Sequence, residues 1–121
     1  MKLYVLRHGQ STYNVEQRIN QDFRIKVALT EKGKKQTEKI AYEFRNLKFD
    51  VIFVSEFFRT QQTAKIINKF HNSEIIVEPR INETMVGFEG QLDIERQKKI
   101  EGNPLIFKLP GKESWKDSQK R

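Results

Sequence analysis

Cysteine is absent from the 121 residues, so neither a disulfide framework nor a thiolate metal site is available, and a reducing compartment fits. Long apolar runs are missing too. No stretch approaches the roughly 20 residues that a membrane-spanning helix needs, and the first residues read as a strand, not as a charged leader with an apolar signal. No membrane partner and a cytoplasmic location are expected. Internal repeats and low-complexity linkers are also lacking, which leaves one domain over residues 1–121. The apolar content of 36% falls below the roughly 45–50% usual for globular domains and predicts a small core.

What the chain has in excess is positive charge, a formal +7. That would suit nucleic acid, but the Lys and Arg residues are interspersed with Glu and Asp, and no nucleic-acid module or aromatic-basic platform is visible. The sequence therefore argues against a nucleic-acid partner. A positive field also collects phosphate-bearing small molecules.

Three apolar runs of strand length punctuate the chain: residues 3–6 (LYVL), 50–55 (DVIFVS) and 74–78 (EIIVE). Between the first two, Thr30 is placed to cap a helix whose apolar face recurs at Thr37, Ile40, Ala41, Phe44 and Leu47. Between the second and third, a helix is predicted from about Arg59 to Phe70. Alternating strands and helices predict an α/β fold of three layers, a mostly parallel sheet flanked by helices, with the run at 50–55 buried on both faces. Asp93 is a plausible cap for a later helix through Ile100. Gly102, Asn103 and Pro104 break it, and Leu105, Ile106 and Phe107 form a small apolar patch.

In open α/β sheets, ligands bind beyond the carboxyl ends of the strands. The first run ends in Arg7-His8-Gly9, and neutral imidazole can attack phosphorus at neutral pH while an adjacent guanidinium matches phosphate oxygens. Past the second run, Arg59 opens a helix beside free backbone N–H groups, a ready anion site. Glu83 follows the third run. His71, the other histidine, falls at the far end of a helix that runs back from the strand tips, and reads as a favourable charge at that helix C-terminus.

Arg7-His8-Gly9-Gln10-Ser11, with Asn14 beyond, resembles the signature of the histidine phosphatase superfamily, the phosphoglycerate-mutase-like proteins. The segment from Ser55 to Ala64 resembles its second signature, and residues 82–90 the segment whose first Glu serves as general acid or base, although the stretch between Gly87 and Gly90 is one residue short. Residues 29–33 and 110–114 resemble helix-opening patterns. The resemblance implies a phosphomonoester phosphatase working through a phosphohistidine on His8, with Glu83 as acid and base, Arg7, Arg59, Ser11 and Asn14 binding phosphate, a small phosphorylated substrate, and neither metal nor cofactor. Mutase-type phosphoryl transfer and a catalytically impaired phosphate binder are the alternatives. Gln21 and Arg24 stand where the family often has Gly and an acidic residue. The strand that carries the family's second active-site His is not in this sequence, so the domain reads as C-terminally truncated. Two outcomes are then expected: the runs ending at Leu6 and Ser55 pair directly, or a second copy of the chain fills the gap as a homodimer.

Overall fold

A computed structural model describes residues 1–85, 87–100 and 111–120. The elements are α1 (Thr12–Val15), α2 (Glu31–Glu43), β1 (Val51–Val54), α3 (Phe58–Ile67), β2 (Glu74–Val77), α4 (Asp93–Lys99) and α5 (Trp115–Ser118), with 3-10 turns at Asn68–Phe70 and Pro79–Ile81. β1 and β2 pair in parallel, with Val51 opposite Glu74 and Val54 opposite Val77. A parallel pair needs a crossover, and α3 supplies it. The fold is α/β, a parallel sheet with flanking helices, as the alternation of elements predicts. No described helix is long and apolar enough to cross a membrane.

Local chemistry explains where each helix starts. The Thr30 hydroxyl accepts the Gly33 N–H at 3.0 Å, and α2 then turns Gly33, Thr37 and Ala41 inward against α3. α3 answers with Thr63, Ala64 and Ile67. Ser114 opens α5, its Oγ accepting from the Asp117 N–H at 3.1 Å and its own N–H donating to Asp117 Oδ2 at 2.9 Å. Asp93 lies one residue inside α4 instead of capping it. Among the described residues, the buried apolar core comprises Val27, Leu29, Ala41, Val54, Phe57, Ala64, Ile67 and Phe88. The predicted breaker at 102–104 and apolar patch at 105–107 lie outside the described residues.

Two expectations fail. Residues 3–6 are not in a sheet: among the described residues their peptide groups have no ladder partner, and Leu3 and Val5 remain 79% and 87% exposed. The reason is that a strand exists only where a neighbour supplies its hydrogen bonds, and the ladder partner of β1 among the described residues is β2. Direct pairing of the runs ending at Leu6 and Ser55 is thereby excluded in this structure. Tyr4 anchors the segment, its ring 6.1 Å from Phe44 and 5.5 Å from Phe49. Likewise β1 is not buried on both faces. Val54 is buried, but Phe53 is 54% exposed, because its face of the two-stranded pair is left open by the described residues.

Candidate active site

The backbone around His8 is held by close packing. A methyl group added at Gly33 would stand 2.0 Å from the Gln10 carbonyl oxygen, and one at Gly9 2.5 Å from the Gly33 oxygen, so only glycine at both positions lets the segment lie on the first turn of α2. The same turn adds hydrogen bonds: Thr30 N donates to Gln10 O at 2.9 Å and the Thr30 hydroxyl to Gln10 Oε1 at 2.9 Å. From α3, Thr63 Oγ1 accepts the Gly9 N–H at 3.2 Å. The helix-opening pattern at 29–33 thus fixes the chain that carries His8.

His8 Nδ1 lies 2.7 Å from its neighbour's carbonyl, Gly9 O. A carbonyl can only accept, so Nδ1 carries the ring proton and Nε2 holds the lone pair. Burial drives the imidazole pKa below its usual 6.5. The Gly9 contact opposes this, and the nearby Arg59 and Arg7 charges add to the lowering. The resting side chain is a neutral imidazole at pH 7. Its lone pair is occupied by Arg59, whose Nε donates to Nε2 at 3.0 Å.

Arg59 begins the second residue of α3 and is 7% exposed, its guanidinium stacked 4.4 Å above the buried Phe57 ring. Burial lowers its pKa, opposed by the Glu83 and Glu89 carboxylates and reinforced by Arg7. It stays cationic, since guanidinium is not deprotonated in proteins. Arg59 Nη1 donates to Asn20 Oδ1, and Asn20 Nδ2 in turn donates to Glu89 at 3.2 Å. Glu89 also accepts the N–H groups of Gln21 and Asp22, the latter at 2.7 Å. One carboxylate therefore clamps the loop at 20–22 and orients the amide that holds Arg59.

The sequence-predicted residues Arg7, His8, Ser11, Asn14, Arg59 and Glu83 all line one pocket of about 190 Å³. Ser11 and Asn14 also serve each other: Ser11 caps α1, its N–H and hydroxyl each donating to Asn14 Oδ1 at 2.9 Å. That leaves the Asn14 Nδ2 group as the donor with capacity to spare. Glu83 is exposed and follows a clasp in which Glu56 N donates to Asn82 Oδ1 at 2.9 Å and Asn82 Nδ2 to Glu56 Oε2 at 2.6 Å. This clasp ties together the loops that leave β1 and β2. His71 is not among the lining residues; it closes the 3-10 turn after α3, its ring 4.4 Å from Phe49. A larger groove of about 360 Å³ shares Arg7 and His8, but its other walls are Leu6, Gly9, Thr63 and residues of α2, without Arg59 or Glu83.

Sequence reading missed Tyr13, Arg18, Asn20 and Arg96 in the same pocket. No local pattern marks Asn20, whose role arises from partners 39 and 69 residues away. Gln21, set where the family often has Gly, is buried and accepts the Gly87 and Phe88 N–H groups at 3.1 Å each. Arg24 pairs with Asp22 at 2.6 Å.

The fold is that of a histidine phosphatase, a parallel α/β protein with its candidate site beyond the strand tips. The model of the histidine phosphatase superfamily (branch 1) matches residues 3–121, and the chain belongs to that family. It is 37% identical over 87 residues to the probable phosphoglycerate mutase GpmB of Enterobacter sp. strain 638, covering 72% of this chain and 40% of that protein. Among solved structures it is similar to the alpha-ribazole phosphatase of Shigella flexneri, with a TM-score of 0.81 at 19% identity over 95% of this chain and 60% of that one. Bacillus stearothermophilus YhfR gives 0.79 at 23%, over 94% and 59%. The chain thus spans 40% of that curated relative and about 60% of those two solved structures.

Proposed function

We propose that the chain is a phosphomonoester phosphatase that works through a phosphohistidine on His8. The observation that carries this reading is the His8 tautomer: a neutral ring whose Nε2 lone pair lies in a pocket with Arg7, Arg59 and Glu83. The substrate's phosphoryl oxygens displace Arg59 Nε from the imidazole, and Nε2 then attacks phosphorus in line. A P–N bond forms as the ester P–O bond breaks. Arg7 and Arg59 neutralise the equatorial oxygens, Asn14 adds a hydrogen bond from Nδ2, Ser11 adds one as its hydroxyl turns from Asn14 Oδ1 to the phosphoryl group, and Glu83 gives its proton to the departing alkoxide. Glu83, now a carboxylate, takes a proton from the water that attacks the phosphohistidine. The P–N bond breaks, inorganic phosphate leaves and His8 is neutral again.

The relatives named probable phosphoglycerate mutases favour a second reading, in which the phosphoryl group returns to an acceptor other than water. Incubation with phenyl phosphate and with 3-phosphoglycerate separates the readings. Phosphate release from both is expected of the phosphatase, and isomerisation of 3-phosphoglycerate without release of the mutase. Saturable phosphate binding with neither reaction would mark a binding protein and overturn the catalytic proposal.

A further inference from the structure

Arg59 is a buried cation without a direct counter-ion. Among the described residues no carboxylate forms an ion pair with it, although Glu83 and Glu89 act on its charge from further off. Its hydrogen-bond acceptors are all neutral: the His8 Nε2 lone pair, Asn20 Oδ1 and the Asn20 carbonyl, the last 3.5 Å from Nη2. Buried charges are ordinarily paired, so the interposed amide asks for an explanation.

Asn20 is 9% exposed and stands between the guanidinium and Glu89. Both neighbours restrict it to one orientation. A carboxylate accepts, so Glu89 takes Asn20 Nδ2, at 3.2 and 3.3 Å; a guanidinium donates, so Oδ1 must face Arg59. Glu89 is fixed independently of Asn20. Its Oε2 accepts the Gln21 and Asp22 N–H groups, and Gln21 Oε1 returns the contact by accepting the Gly87 and Phe88 N–H groups at 3.1 Å each. A carboxylate in direct contact with Arg59 would occupy the fork that a phosphate needs. At one remove, it sets the geometry and leaves the charge.

We infer that Asn20 and Glu89 are positioning residues for anion capture: through a neutral amide they hold Arg59 in place while keeping its charge unpaired for a tetrahedral oxyanion. The inference rests on reading the pocket as a phosphoryl site. When Nε leaves His8 for the ligand, Nη1 stays on Asn20, and the guanidinium turns about that contact without leaving the pocket.

The test is titration of the whole chain with inorganic phosphate, together with NMR of the Arg59 Nε–H, whose signal is assigned by its loss in Arg59→Lys. Glu89→Gln removes a negative charge near the site, and through charge alone it would tighten phosphate binding. The relay predicts the opposite sign, because the new amide nitrogen faces Asn20 Nδ2 and turns Oδ1 away from Arg59. Phosphate affinity is expected to fall about tenfold, the scale of one charge-assisted hydrogen bond, and the Arg59 Nε–H to exchange with solvent about tenfold faster. Asn20→Leu retains the net charge and the Glu89 clamp on residues 21–22, and is expected to produce both changes. Arg24→Ala, which opens the ion pair with Asp22 in the same loop, should produce neither. Unchanged or tighter phosphate binding in Glu89→Gln, or an Arg59 Nε–H as protected in Asn20→Leu as in the unmodified chain, overturns the inference while the phosphoryl site stands. Equal weakening in Arg24→Ala would reduce the relay to loop stability and overturn it too. If the unmodified chain binds no phosphate, the phosphoryl reading itself is wrong and the inference goes with it.

Discussion

Residues 3–6 and residues 7–14 adjoin in the chain and behave in opposite ways. The second segment is polar, yet nearly every group in it has a partner: Gly9 and Gln10 on α2 and α3, Ser11 and Asn14 on each other, His8 on Arg59. The first is apolar, yet Leu3 and Val5 face solvent. Burying a Leu or Val contributes about 1.5–3 kcal/mol, but only where another surface arrives to cover it. Hydrogen-bonding residues at fixed spacing bring their own partners, whereas an apolar strand depends on a neighbour from elsewhere in the assembly.

The contrast can be broken most forcefully on the polar side. Glu83→Gln is expected to slow an alkyl phosphate by about 10²–10⁴, because an alkoxide leaves only with a proton, and an activated aryl phosphate far less. Equal slowing of both esters would assign Glu83 to structure. Arg59→Ala should lower kcat by about 10²–10³, the usual cost of one preorganised charge at a transition state. It should also quicken carbethoxylation of His8 by diethyl pyrocarbonate, since the Nε2 lone pair loses its donor. An unchanged modification rate would show that Arg59 does not cover that atom.

The pH behaviour gives a subtler test. His8 has a folded pKa below 6.5, so the acidic limb of kcat/KM should fall below pH 6.5. The unfolded chain binds that proton more readily, and this histidine's contribution to the unfolding free energy therefore rises with pH through the window ending near 6.5. Imidazole NMR with His71→Asn as the assignment control checks the direction; a His8 pKa above 6.5 would contradict the burial argument.

The smallest effect belongs to the apolar segment. Leu3→Thr and Val5→Thr should change unfolding of the isolated chain by no more than about 0.5 kcal/mol, as for exposed positions, whereas Phe88→Ala in the core should cost about 3–5 kcal/mol. A larger loss at positions 3 and 5 that grows with protein concentration would mean that a second copy covers the segment, and sedimentation would then show a dimer.

The same contrast explains what could be read in advance. The start of α2 was legible because Thr30 caps it through a contact three residues away, whereas the start of α5 at Ser114 was legible through a family pattern and α4 begins one residue earlier than an Asp93 cap implies. Arg7, His8, Ser11, Asn14, Arg59 and Glu83 were legible because their spacings match a family pattern, and they line a common pocket. Asn20 carries no local mark, since its work lies in orienting Arg59 across the fold between that guanidinium and Glu89. Nothing in the sequence singled out Arg96, which lines the pocket where residues 17–19 pair with 90–93. The run at 3–6 has the composition of a strand, but composition does not name the neighbour that would make it one.

The central claim is that His8 becomes phosphorylated. Rapid acid-free quenching with a labelled aryl phosphate should trap an acid-labile, base-stable phosphoenzyme in the unmodified chain and in His71→Ala, and none in His8→Ala. A phosphoenzyme that persists in His8→Ala, or turnover by that variant at the unmodified rate, would contradict the account.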